Sequence, residues 1–82
     1  MTKHRKIMEA GFEAMYGFPF NIKTITTVGW NAWSSAAQAV MDGKPINEVY
    51  TAYCGYQAYR TRTKPHPNFV KPYAAMVKIN KE

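Results

Sequence analysis

The stretch Val28–Met41, VGWNAWSSAAQAVM, decides how this chain is read. Trp30, Trp33, Ala37, Val40 and Met41 recur at spacings of three and four, which places them on one apolar stripe of an α-helix. Ala32, Ala36 and Ala39 add high helix propensity, and their small side chains let a second helix approach closely. Asp42-Gly43 ends the segment. Its start has two solutions, because Asn21 and the pair Thr26-Thr27 are all N-cap residue types; the β-branched run from Ile22 to Val28 weakens the earlier one.

Upstream, Thr2 to Tyr16 repeats the helical pattern, with Ile7, Met8, Gly11, Phe12 and Met15 on one side. Thr2 is suited to cap this helix, and Gly17 to stop it in a left-handed conformation. Phe18-Pro19-Phe20-Asn21 must then be a tight connection, whose two phenylalanines either plug the end of a small core or form a recognition hook.

Downstream, Lys44-Pro45 opens a third helix, with Asn47 as an alternative cap, and the pattern predicts that it runs to about Tyr59. Ile46, Val49, Tyr50, Tyr53 and Gln57 lie along one side, Cys54 and Ala58 beside them, and Tyr56 and Tyr59 towards another face. After Arg60 the run Thr-Arg-Thr-Lys-Pro-His-Pro-Asn contains two prolines, which oppose helix and favour extended or polyproline conformations. Pro72 can then begin a short last helix through Ile79, with Tyr73, Met76 and Val77 turned inward; a short strand competes. The expected fold is mostly α: a compact bundle of three helices over residues 1–60, then a Pro-containing basic C-terminal arm with a possible short fourth helix over 61–82.

An 82-residue chain buries only about 60% of the surface its unfolded form exposes, so its core must be small and dense. The composition is 46% hydrophobic and 15% aromatic, enough apolar material to fold rather than remain disordered. The single cysteine, Cys54, cannot close an internal disulfide, and no run reaches the eighteen or so apolar residues of a membrane span. The basic start is followed by Glu9 and Glu13 where a signal peptide needs an uninterrupted apolar region, so a cytoplasmic protein is expected.

The net charge of +6 is unevenly spread. Lys3, Arg5 and Lys6 make the first six residues basic, while residues 7–59 are mildly acidic through Glu9, Glu13, Asp42 and Glu48 against Lys23 and Lys44. Residues 60–82 carry Arg60, Arg62, Lys64, Lys71, Lys78 and Lys81 against Glu82 alone. Positive charge at both ends attracts polyanions: nucleic acid, an acidic protein surface or anionic lipid.

Catalytic and metal-binding spacings are missing. Cys54, His4 and His66 sit in three separate segments, without CxxC or HxxxH spacing, so neither a zinc site nor a Cys54/His66 nucleophile pair is expected. Glu9 and Glu13 read as a solvated helix face rather than an acid/base pair, and no Gly-rich phosphate loop follows a strand. An enzyme and a cofactor are therefore not expected. What remains is a surface: Tyr56, Tyr59, Arg60, Arg62, Lys64, Pro65, Pro67 and Lys71 put aromatic rings, cations and stiff prolines together around the end of helix three and the arm. Bases stack on such rings while cations meet phosphates, and a stiff Pro-His-Pro strand docks in a groove at low ordering cost. The alternative is that the tyrosines pack helix three while the cations meet its C-terminal dipole. X-Pro bonds in this arm also make a host prolyl isomerase a candidate partner, and spare aromatic surface permits a homo-oligomer.

The run Ala10-Gly11-Phe12-Glu13-Ala14 with Tyr16-Gly17-Phe18, followed by Trp30-Asn31-Ala32-Trp33 and Ala36-Ala37, resembles small accessory proteins of tailed bacteriophages and prophages. Those chains show an F-E-A helix, a Y-G turn and a W-x-A-W helix, and the likeness covers roughly residues 7–40. The resemblance implies an early, counter-defence type of product acting in the host cytoplasm, one that inhibits a host nuclease or another multi-subunit enzyme acting on nucleic acid. The basic charge departs from acidic DNA mimics and implies a grip on an acidic protein surface or a protein–nucleic acid complex. Direct sequence-independent RNA or DNA binding is the alternative, as is a ribosome- or polymerase-associated regulator.

Overall fold

Thr2 and Thr26 each open a helix in the same way. The Thr2 hydroxyl accepts from the Arg5 N–H at 3.2 Å and the Thr26 hydroxyl from the Gly29 N–H at 3.0 Å, each satisfying one of the donors a helix start leaves free. The computed structural model describes residues 2–55 and 67–82. They form helices α1 (Lys3–Tyr16), α2 (Thr27–Met41), α3 (Ile46–Cys54) and α4 (Val70–Asn80), the last preceded by a single 3-10 turn at Pro67–Phe69. No strand occurs among the described residues, so the fold is all-α.

Gly17 ends α1 with φ 78°, the left-handed conformation that only glycine adopts without strain, and its N–H donates to the Glu13 carbonyl. Of the two candidate starts for α2, Thr26 is the one used. Asn21 instead folds the connection: its side-chain oxygen accepts from the Lys23 N–H at 2.9 Å, and its carbonyl accepts from the N–H groups of Thr24 and Ile25 at 3.1 Å.

The expectation for the third helix needs correction. It stops at Cys54, not at about Tyr59, because Gly55 takes φ 60° there. The apolar pattern does continue past Gly55, but a backbone turned to positive φ cannot carry the helix on. The fourth helix needs correction as well. It begins at Val70 instead of Pro72 and reaches Asn80; Pro72 falls in its first turn, where its missing N–H has no acceptor within the helix. The competing strand is not formed.

Trp33 lies at the centre of the core. Its ring is within 4.6 Å of Tyr53, lies nearly parallel to Phe69 at 6.3 Å and meets Phe12 and Tyr16 edge-on. Around it α1 buries Ile7 and Met8, α2 buries Ala36, Ala37 and Val40, and α3 buries Val49. Phe69, Pro72 and Met76 are also fully buried, so α4 shares this core. Trp30 and Tyr50 are half-buried at its edge, and Met41, the last residue of the predicted stripe, is exposed.

Met76 of α4 packs on Gly11, while Ile79 and Glu82 lie beside Lys3 and Lys6. These pairs run in opposite directions along the two helices, so α1 and α4 are antiparallel. The Asn80 amide donates to the Val40 carbonyl at 3.3 Å and the His4 ring lies 2.9 Å from the Ser34 carbonyl, which fixes the α1–α4 pair across α2.

Candidate binding surface

The connection between α1 and α2 is apolar and largely outside the core. Phe18 is 55% exposed and Ile22 56%; Tyr16 at the end of α1 is also exposed, as is Val28, at 79%, in the first turn of α2. Monomeric proteins rarely leave contiguous apolar surface uncovered without a use for it. The two phenylalanines flanking Pro19 divide the roles considered for them. Phe20 is half-buried against Phe12 and Trp30, closing the end of the core, whereas Phe18 rests on the edge of Phe12 and leaves its outer face to solvent.

This shelf is held in place from below. The Arg5 guanidinium sits 5.0 Å from the Phe20 ring centre and 5.3 Å from that of Trp30, while its Nε donates to Glu9 at 2.7 Å. A cation over two aromatic faces, oriented by a carboxylate, ties α1 to the connection. Glu13 accepts from the Phe20 backbone N–H at 3.1 Å, which fixes the chain as it leaves α1. Glu9 and Glu13 thus support the turn. On either side of Ile25 and Thr26 lie two shallow grooves of about 400 and 300 Å³. Tyr16, Phe18 and Gly29 line the larger one; Ile22, Thr27 and Trp30 line the smaller.

At the margin of the shelf the hydroxyls of Tyr16 and Tyr53 are 3.1 Å apart. Burial, and then this hydrogen bond, hold the Tyr53 phenol well above the ordinary tyrosine range. Cys54, next to it, is a half-buried free thiol. No group of three or more His, Cys, Asp or Glu side chains among the described residues is placed to hold a metal ion.

No protein family, no curated protein and no solved structure matches this chain. The surface therefore has to be read from its own chemistry. Of the residues singled out in the sequence, Tyr56, Tyr59, Arg60, Arg62, Lys64 and Pro65 lie outside the described residues, as do Gln57, Ala58 and His66. Pro67 opens the 3-10 turn, and Lys71 is exposed in the first turn of α4. Phe18 fits the recognition-hook alternative, whereas the sequence pattern does not single out Ile22 and Val28 as surface. The usable signal was the run Phe18 to Val28, whose Phe18, Phe20, Ile22, Ile25 and Val28 fit no single helical or alternating period. Among the described residues, no helix is long and apolar enough to cross a membrane.

Proposed function

We propose that this is a non-enzymatic, phage-type binding protein that inhibits or modulates a host nucleic-acid-processing complex, a nuclease or defence enzyme, by protein–protein contact. The observation that carries the reading is the exposed apolar surface of Phe18 and Ile22 on a connection whose backbone is locked by hydrogen bonds, flanked by exposed Tyr16 at the end of α1 and Val28 in the first turn of α2. A preformed apolar surface loses little conformational freedom on docking, and its aromatic rings supply anchor energy at low entropic cost. The partner that suits it presents apolar side chains to the grooves beside Ile25 and Thr26 and acidic groups to Lys23, exposed on the same connection. A standard interface needs only about 800 Å² from each partner, which a chain of this size can provide. The resemblance to phage accessory proteins and the charge of +6 support a host target that handles nucleic acid.

The test is a tagged pull-down from bacterial lysate, with and without nuclease treatment, comparing the wild type with Ile22→Glu/Val28→Glu. Both positions are exposed, so the variant should fold normally. Wild type is expected to retain one stoichiometric host protein after nuclease treatment, and the variant to lose it. Retention by the variant would refute the shelf as the contact surface, and recovery of nucleic acid alone would refute protein–protein contact.

A further inference from the structure

The two basic ends of the chain meet in space. Lys3 and Lys6, in the opening turns of α1, share a shallow depression of about 250 Å³ with Ile79 and Glu82 at the end of α4. Lys71 and Lys78 are exposed on α4 and Lys81 on its C-terminal cap, and their spacing of seven and three residues puts them along one side. Glu82, four residues beyond Lys78, falls on that same side and with Ile79 leads the stripe to Lys3 and Lys6 of α1; its carboxylate offsets one of the five positive charges and leaves the face net positive. From Lys71 to Lys81 the stripe is about 15 Å long, at 1.5 Å per residue. None of the five lysines is in an ion pair among the described residues.

Favourable helix-end electrostatics do not explain this arrangement. Lys78 and Lys81 suit the negative C-terminal end of α4, but Lys3 and Lys6 lie at the positive N-terminal end of α1 and Lys71 at that of α4. Neither helix has an acidic residue in its first turn to offset them. Three of the five cations therefore stand where the helix dipoles oppose them. A bound polyanion would compensate that cost.

We propose that Lys3, Lys6, Lys71, Lys78 and Lys81 form a binding face for the phosphodiester backbone of nucleic acid, without readout of base sequence. Lysines act as point charges on flexible stems, which suits phosphates along a strand, and no aromatic ring lies between them to read a base. The face does not suit a lipid surface. An interfacial helix needs a broad apolar side to insert, and α4 buries its own as Phe69, Pro72 and Met76, leaving only Val70 as an exposed large apolar residue on the helix. It also lacks the Trp, Tyr and Arg side chains in which protein hot spots are enriched. The face shares no residue with the shelf and does not depend on its role.

The experiment is fluorescence anisotropy of the full chain with a labelled 20-nucleotide single strand and a 20-base-pair duplex, titrated from 50 to 300 mM salt. Wild type should bind both, with affinity falling steeply as salt rises. Lys3→Gln/Lys6→Gln/Lys78→Gln, checked for native circular dichroism and melting, should bind at least about tenfold more weakly at 50 mM salt. Its log–log salt slope should be shallower by about 2–3, near one unit per lost phosphate contact. The charge-neutral surface change Met41→Gln, outside both surfaces, should keep wild-type affinity. No binding by wild type at 50 mM salt, or an unchanged slope in the lysine variant, overturns the proposal. So does equally tight, lysine-dependent binding to polyglutamate or to phosphatidylserine vesicles.

Discussion

Gly11 is the point at which three helices meet. A methyl group added there would lie 2.7 Å from the Met76 sulfur and 2.8 Å from Cζ3 of Trp33, both fully buried. The methionine can bend, but the indole is wedged among Phe12, Tyr53 and Phe69. Gly11→Ala should gain up to about 1 kcal/mol in helix propensity and lose about 1–3 kcal/mol to overpacking. The net expectation is destabilisation of roughly 1 kcal/mol and a melting temperature lower by about 4–8 °C, read by thermal denaturation. Tyr53 gives a pH-dependent expectation. Its phenol is held above the ordinary value of 10.0, first by burial and then by Tyr16. The folded state thus keeps a proton that the unfolded chain releases, so this contribution is intact below pH 10 and is lost as pH rises towards the folded value. Denaturant titrations at pH 9 and pH 11 should show wild type losing more stability than Tyr53→Phe over that interval.

The helices differ in how far their limits could be read from sequence, and the difference is physical. Caps act over three or four residues, so Thr2, Gly17 and Asp42-Gly43 announce themselves locally. Gly55 was hidden because tyrosines continue on both sides of it, and an apolar pattern says nothing about backbone sign. Phe69 was hidden by the prolines around it, although it is fully buried, stacks on Trp33 and meets Tyr50 edge-on. Of the candidate site, Lys71 was legible as a basic residue, but its continuity with Lys3 depends on α4 packing antiparallel to α1. No local rule reports that. Phe69 gives the expectation at this scale: Phe69→Ala should cost about 3–5 kcal/mol, most of the stability of a domain this small. Urea titration should show its midpoint near zero denaturant, whereas a surface change such as Val70→Ala should leave the unfolding free energy within about 0.5 kcal/mol of wild type.

Over the whole molecule, apolar surface and positive charge occupy different places. The shelf lies at the α1–α2 connection and the lysines along α4 and the start of α1, so the two proposed surfaces share no residue. The lysine face also strains the fold. Lys3 with Lys6 and Lys78 with Lys81 are like-charge pairs on single helices, each costing about 0.2–0.5 kcal/mol at low ionic strength. Raising salt from 20 mM to 0.5 M screens them and should lift the melting temperature by about 2–4 °C; the triple lysine-to-glutamine variant should respond less. The antiparallel pairing of α1 with α4 also bears on how the protein is made. Tyr16 and Val70 bound a gap that a ribosome translating at 5–20 residues per second needs roughly 3–11 s to cross. Until α4 is made, Met8 and Gly11, and Trp33 once it has been added, lack the helix that covers them, so rare codons placed between α3 and α4 should prolong that exposure and lower the soluble yield.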